Sequence, residues 1–464
     1  MVAISDRTSS RTAPTTLRGL PWLSIALFAV SWTLPPSTND VPRNAAFFLL
    51  SMAVSLVWIV RRLPGAPVSV GSIYAAFFAL FHGGLALPFA FGWEIPEIGG
   101  ITPDWVHSPS VGPALLLASQ ALLAFTIAYG LAVRPSRRVD DAPSIAPNVS
   151  SLATLLLVLG VASWFWFTYT AGALSLSTAY QDFLARTSTQ PLPYSYLLIG
   201  IGLALVGADY HDHRRHATLL VFVAFAAPAF AIGLRGEVLI PFACYLIGRY
   251  RGRPLRRPLG AALLVLAGLS LGAMVKTARA SGPSALLSLD LRSVNPMDGL
   301  AEMGYTLRPL VTVLDHASTY QPGLATYLAP LNRLLVGTIL GQPVTATSDD
   351  PDVFRTFVVQ VAGPIGGSPA AEALRSFGTT GVVVVMALIG LAVAWLDSRS
   401  TTPFQNAAVA AMALPLLLWV RNDITPVLFQ VIVVALVLAV LRVNVRRQAG
   451  RASRRRTGLR AAQR

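Results

Sequence analysis

The 464-residue chain has one cysteine, one lysine and few charges of either sign. A lone Cys244 excludes an internal disulfide and a cysteine-ligated zinc site, and within its apolar run it reads as a buried thiol. Only 12% of residues are charged, against about a quarter in soluble domains, and 54% are hydrophobic. That composition excludes an ordinary soluble fold. Short alternating segments of the kind that build a membrane β-barrel are missing, so the spans must be helical. No phosphate-cradling Gly-rich loop, GxSxG elbow, HExxH helix or Walker pattern occurs, which removes the case for soluble nucleotide-driven catalysis. The basic start MVAISDRTSSRTAPTTLRGL is followed by no small-residue cleavage site, so it leads into an uncleaved first span. No inverted repeat of the transporter kind is visible.

What is present is a series of apolar blocks near 20–34, 44–60, 69–91, 112–133, 151–170, 194–209, 217–233, 236–249, 259–278, 379–396, 404–420 and 424–441. They predict an all-α polytopic integral membrane protein of about 12 transmembrane helices. Alternate loops carry Arg61 and Arg62, then Arg134 with Arg137 and Arg138, then Arg214 and Arg215, then RYRGRPLRRP, and finally an arginine-rich tail. Outer loops such as GWEIPEIGGITPDWVHSPS are acidic or neutral. The positive-inside rule therefore places both termini in the cytoplasm. The net charge of +15 resides mainly in these loops and the tail, where it sets topology and touches anionic headgroups. No aromatic-interleaved basic fold accompanies it, so no nucleic-acid partner is expected.

Four regions follow: spans 1–9 over 1–278, an extracytoplasmic segment over 279–377, spans 10–12 over 378–442, and a basic cytoplasmic tail over 443–464. The segment between spans 9 and 10 interrupts the apolar pattern with Arg279, Arg292, Glu302, Arg308, Asp315, His316, Arg333, Arg355, Glu372 and Arg375. Leu300, Met303, Leu307, Leu310, Val311 and Leu314 recur at helical spacing, and Pro309 should kink or restart that helix. TYLAPLNRLLVGTILG is apolar but interrupted, as in a surface-lying or re-entrant helix.

Two constellations could carry chemistry. In FAIGLRGEVLIPF, Arg235 and Glu237 sit at the outer end of two closely joined spans. There Arg235 is either a diphosphate or sugar ligand, or one half of a charge pair within a tight turn. The second set is Arg279, Glu302, Arg308, Arg333, Arg355, Glu372 and Arg375. Arginines on an outer face run against the usual charge bias, and anion binding would account for them. Glu302 and Glu372 are the carboxylates available as a general base beside such an anion. His316 could serve as a base or simply cap a helix, and His82 could mark a polar cavity or bond a neighbouring helix. His211, His213 and His216 in DYHDHRRH fall in a cytoplasmic topology loop with weak metal potential. Arg355 and Gly366 are separated by ten residues, a spacing that chance readily supplies among 36 glycines.

Three patches carry a resemblance: IGLRGEVLIPF before a short span, GLAEMGYTLRPL opening the long outer segment, and GGSPAAEALRSFGTTGVVVVMALIGLAVAW leading into the tenth span. With the overall layout they resemble the Wzy-type O-antigen polymerases, or oligosaccharide repeat-unit polymerases. The resemblance implies a cofactor-free, metal-independent glycosyl transfer at the outer face of a bacterial plasma membrane. A growing glycan on a polyprenyl diphosphate, such as undecaprenyl diphosphate, would move onto the sugar of a newly flipped lipid-linked repeat unit. By their patches, Arg235, Arg279 and Arg308 would bind diphosphate, with Arg333, Arg355 and Arg375 as further diphosphate or sugar ligands. Glu302 or Glu372 would take the acceptor proton or structure the site. The implied partners are the polyprenyl-diphosphate-linked oligosaccharide, membrane lipids and other polysaccharide-assembly proteins. Competing readings are a lipid-linked oligosaccharide flippase, an O-antigen ligase, or a polyprenyl-phosphate-sugar-dependent glycosyltransferase. The last is loosely matched by Glu94, Glu97 and Asp104. Charges gather near span ends and not at mid-membrane, which disfavours transport.

Overall fold

The computed structural model describes residues 19–34, 40–63, 67–95, 103–134, 147–175, 177–208, 215–255, 260, 267–275, 282–288, 294–316, 320–363 and 365–462. Arg279, Arg292, Lys276, Glu97, His211 and His213 lie outside them. The described residues are helical, with no strand among them. In chain order the helices are α1 (Leu20–Thr33), α2 (Val41–Arg62), α3 (Val70–Gly83), α4 (Ala86–Phe91), α5 (Val111–Ala132) and α6 (Pro147–Thr170). Next come α7 (Tyr180–Thr187), α8 (Leu192–Ala208), α9 (Arg215–Ile232) and α10 (Arg235–Tyr250). The outer segment contributes α11 (Pro296–Gly304), α12 (Arg308–Asp315), α13 (Ala325–Asn332) and α14 (Phe354–Ala362). The chain closes with α15 (Pro369–Asp397), α16 (Pro403–Trp419) and α17 (Ile424–Ala462).

Five helical stretches are long and apolar enough to cross a membrane: α2, α5, α15, Ser150–Thr170 within α6 and Ile424–Val445 within α17. A sixth arises if α7 and α8, which meet at 105°, form one broken span. Leu20–Thr33, Val70–Gly83, His216–Ile232 and Pro403–Trp419 are shorter apolar helices. The expected third block, 69–91, divides at Gly84 into α3 and α4. Much of the expected ninth, 259–278, lies outside the described residues.

Helix starts follow local chemistry. Ser69 and Ser72 form a reciprocal capping box on α3, and the Asn295 and Thr402 side chains cap α11 and α16. Prolines open α11, α12, α15 and α16, where a missing amide hydrogen loses nothing. Pro309 restarts the chain after a single 3-10 turn over Tyr305–Leu307, as its position predicts. TYLAPLNRLLVGTILG forms α13, continued by a π-helical stretch over Arg333–Ile339. Leu324, Leu328, Leu331, Leu335 and Ile339 leave this element exposed along one edge.

The helix ends sort into two poles. At one pole the Asp397 carboxylate accepts from the Val70 and Gly71 amides at 3.0 and 2.9 Å and from the Tyr129 hydroxyl at 3.0 Å. Arg251 is buried there, 3.6 Å from Asp397, and donates to the carbonyls of Leu396, Asp397 and Arg399 and to Asn406 Oδ1. Arg134 also belongs here, its amide donating to Ser398 Oγ at 2.9 Å. At the other pole lie the end of α3, the start of α10, the start of α15 and the α16–α17 corner, with the outer segment packed over them. The two poles fix an antiparallel bundle whose core runs through α3, α5, α8, α10, α15 and α16.

Candidate functional site

The α9–α10 turn is the first component. Gly233 takes φ 108°, a backbone state open to glycine, and turns the chain so that α10 begins at Arg235. That start buries the Arg235 guanidinium, whose Nη1 lies 2.8 Å from Glu302 Oε2 on α11. Both side chains are almost fully buried, so desolvation ties each to the other. Arg235 thus pairs with Glu302 across the fold. Two of the three patches singled out in the sequence meet at this bond.

A main-chain seam sets the position of α11. Gly84, between α3 and α4, packs on the Leu300 carbonyl and on Gly304, and Gly304 packs on Gly84 and the Leu85 amide. A Cβ at either position would strike backbone, which cannot swing aside. One turn beyond Glu302, Tyr305 stands edge-on to Trp105 at 5.5 Å between ring centroids. Burial, with the Glu302 charge adding to it, pushes the Tyr305 hydroxyl up to about 12.

The third component is Arg421-Asn422-Asp423, between α16 and α17. A methyl group on Gly236 would fall on the Arg421 guanidinium, which therefore lies directly beside the start of α10. Its Cζ sits 5.7 Å from the Phe81 ring centroid, and among the described residues no carboxylate pairs with it. Half-buried Arg421 and buried Arg235 are thus neighbouring cations on separate elements. The preceding residues of the third patch brace this corner: Gly366 packs on the Arg421 carbonyl and Gly367 on Asn422 and Asp423. Asp423 interacts with the Thr425 side chain and with the backbone amide and charge of Arg355, while burial raises its carboxyl above the ordinary range. Both ends of the Arg355–Gly366 spacing therefore land on one turn.

Glu372 lies one step further in. Its fully buried carboxylate accepts from the Trp419 indole N–H at 3.2 Å and from the Ile424 amide at 3.1 Å. Nearby, His82 Nδ1 is 3.1 Å from the Phe78 carbonyl, which can only accept, so Nδ1 carries the proton. Nε2 then accepts from the Ser368 hydroxyl at 2.7 Å. His82 bonds a neighbouring helix, one of the two roles its sequence context allowed.

The remaining candidates are dispersed along the outer segment. Arg308 is half-buried and donates to the Ala362 carbonyl at 2.8 Å; burial lowers its pKa. Arg333 donates to Asp350 at 2.8 Å and to Thr347 at 3.1 Å. Arg375 donates to the Pro351 carbonyl at 2.9 Å and lies 4.4 Å over the Phe357 ring. Arg355 is exposed, and the His316 Nδ1 donates to the Thr312 carbonyl at 2.9 Å, capping its own helix. Arg421 is the residue that sequence reasoning missed. Its signal was a polar triplet with two charges in a corner only four residues long between two apolar runs. Among the described residues no three His, Cys, Asp or Glu side chains gather as metal ligands would.

An apolar groove of about 590 Å³ runs along α15 and reaches Trp419, two residues before Arg421. Leu324 and Tyr327 of the outer segment, Phe377, Val384 and Leu388 of α15, and Trp419 line it. Trp419 thus faces the groove and bonds Glu372 behind it.

Comparison with known proteins bears on what this arrangement serves. Residues 114–446 match the family described as O-antigen polysaccharide polymerase Wzy, a range that covers most of the chain and includes Arg235, Glu302, Glu372 and Arg421 but not Gly84. The chain belongs to the O-antigen polysaccharide polymerase Wzy family. It is also similar to Protein CapE of Staphylococcus aureus, at 27% identity over 282 residues. That match covers 58% of this chain and 61% of CapE, so the chain spans less than two thirds of this relative's length. No solved structure matches it. Membership in this family and the long apolar helices make it a polytopic bacterial membrane protein.

Proposed function

We propose that the protein is a membrane glycosyl-transfer enzyme that polymerises polyprenyl-diphosphate-linked oligosaccharide repeat units into a surface polysaccharide. The observation that carries this reading is the convergence of Arg235, Glu302 and Arg421 at one pole, which an apolar groove reaches. A lipid-linked glycan has an anionic diphosphate and a long apolar chain, and this pole offers cations together with an apolar groove that ends at Trp419.

In the reaction, a hydroxyl oxygen of the acceptor sugar attacks C1 of the donor sugar. The C1–oxygen bond to diphosphate breaks, and the lipid diphosphate departs with the electron pair. Guanidinium groups stabilise that growing negative charge, because they bind phosphate oxygens in pairs and need no reorganisation once fixed. Arg421 and Arg235 take this role, with Arg308 and Arg279 as further ligands from the outer segment. Glu302 takes the acceptor proton. Glu372, with its carboxylate committed to Trp419 and Ile424, holds the corner that presents Arg421. Arg333, Arg355 and Arg375 shape the segment that covers the site. By the positive-inside rule, the site faces outward and both termini are cytoplasmic.

The test is elongation in proteoliposomes supplied with the lipid-diphosphate-linked repeat unit. Wild type and an Arg451→Ala tail variant should yield a ladder of longer lipid-linked glycans, while Arg421→Ala and Glu302→Ala should not. Movement of the repeat unit across the bilayer with no ladder would overturn the polymerase reading and favour transport.

A further inference from the structure

The opposite pole carries a second groove. Helices α15, α16 and α17 enclose a cavity of about 600 Å³, lined in part by Trp395, Arg399, Phe404, Met412, Leu438 and Arg442. From the break at Gly378, where φ is 68°, to Trp395 the helix runs roughly 25 Å at a rise of about 1.5 Å per residue, and no residue of this groove also lines the site around Arg235, Glu302 and Glu372. Two of its walls, α15 and α17, are helices long and apolar enough to cross a membrane.

The polar side chains of this groove are Arg399, Arg442 and the neutral Gln405. The Arg399 guanidinium stacks on the Trp395 ring with its Cζ 3.7 Å from the centroid, at the rim of the apolar wall. Arg442 enters from α17. Among the described residues no acidic side chain lines the groove: Asp397, next in space, is turned inward to the Val70 and Gly71 amides and to Arg251. Arg134 and Arg251 lie at the same pole.

We propose that this groove binds an anionic phospholipid of the cytoplasmic leaflet, with acyl chains against Phe404, Met412 and Leu438 and the phosphate between Arg399 and Arg442. Two arginines above an apolar slot match a headgroup with net negative charge. A choline headgroup brings its own cation and gains less from the same pair. The proposal is independent of the polymerase reading.

The test uses the full chain, reconstituted in nanodiscs of equimolar phosphatidylglycerol and phosphatidylcholine and released for native mass spectrometry. Wild type should retain phosphatidylglycerol in preference to phosphatidylcholine. Arg399→Gln with Arg442→Gln should lose the retained lipid, and so should Ala408→Trp, which fills the groove without altering charge; Ala408 lines the same cavity. Helical content by circular dichroism confirms that each variant is folded, and Ala408→Leu replaces any that is not. Equal retention of the two lipids would overturn the proposal. So would retention by folded groove-filled variants of a lipid that the double glutamine variant loses, since that marks diffuse surface charge. A dimer that Ala408→Trp dissociates with no change in lipid retention would overturn it in favour of a second copy.

Discussion

The indole N–H of Trp419 donates to Glu372 Oε2 at 3.2 Å, and the same carboxylate takes the amide of Ile424, the first residue of α17. One side chain therefore ties the end of α16 to the start of α17 across the corner that holds Arg421. Glu372→Ala leaves a buried indole and a buried amide without their acceptor, and should destabilise the fold by about 1–3 kcal/mol. Glu372→Gln keeps one acceptor oxygen and should recover much of that loss. Thermal unfolding in detergent measures both, and elongation should track Arg421 placement, falling further in the alanine variant.

Arg235 and Glu302 allow stability to be separated from chemistry. Arg235→Ala strands the Glu302 carboxylate in the interior and should cost about 3–5 kcal/mol. The paired replacement Arg235→Met with Glu302→Leu removes both charges and should regain most of that stability. Elongation should stay absent in the double variant. Recovery of activity along with stability would show the pair to be a packing device only.

Arg421 sits beside Gly236 at partial exposure, so its removal should leave stability within about 0.5 kcal/mol. Elongation should nonetheless fall by about 10²-fold, the scale expected for losing one preorganised donor to a developing anion. Arg421→Lys keeps the charge and loses the planar fork, and should restore activity only in part. Initial rates of ladder growth at saturating donor measure both.

Gly304→Ala inserts a methyl group against the Leu85 amide and should cost about 1–3 kcal/mol or more, as overpacking does. Because Glu302 is two residues away on the same helix, elongation should drop even in the folded fraction. Leu328→Ala, on the exposed edge of α13, should change neither quantity measurably.

The helical membrane class was legible because apolar runs of this length leave few alternatives, and the restart at Pro309 was legible because a ring at that position forbids an interior amide bond. Arg235, Glu302 and Glu372 stood out as charges in apolar surroundings. Their partners did not. Glu237 is two residues from Arg235 in sequence, yet the bond forms with Glu302, since α10 and α11 meet only once the bundle has closed. Arg421 was hidden because a short polar corner between two spans reads as an ordinary outer loop. The Arg355–Gly366 spacing was too common among glycines to weigh, and gains meaning only where both ends touch the same corner.

The seam between Gly84 and Gly304 is built from main chain alone. Bonds that depend on side chains drift as sequences diverge, since either partner can change independently. A backbone-on-backbone crossing asks only that two positions remain without a Cβ, while everything around them is free to vary. The outer segment is thereby registered to the bundle by two glycines. Residues elsewhere in the outer segment can be exchanged without Glu302 losing its place against the bundle.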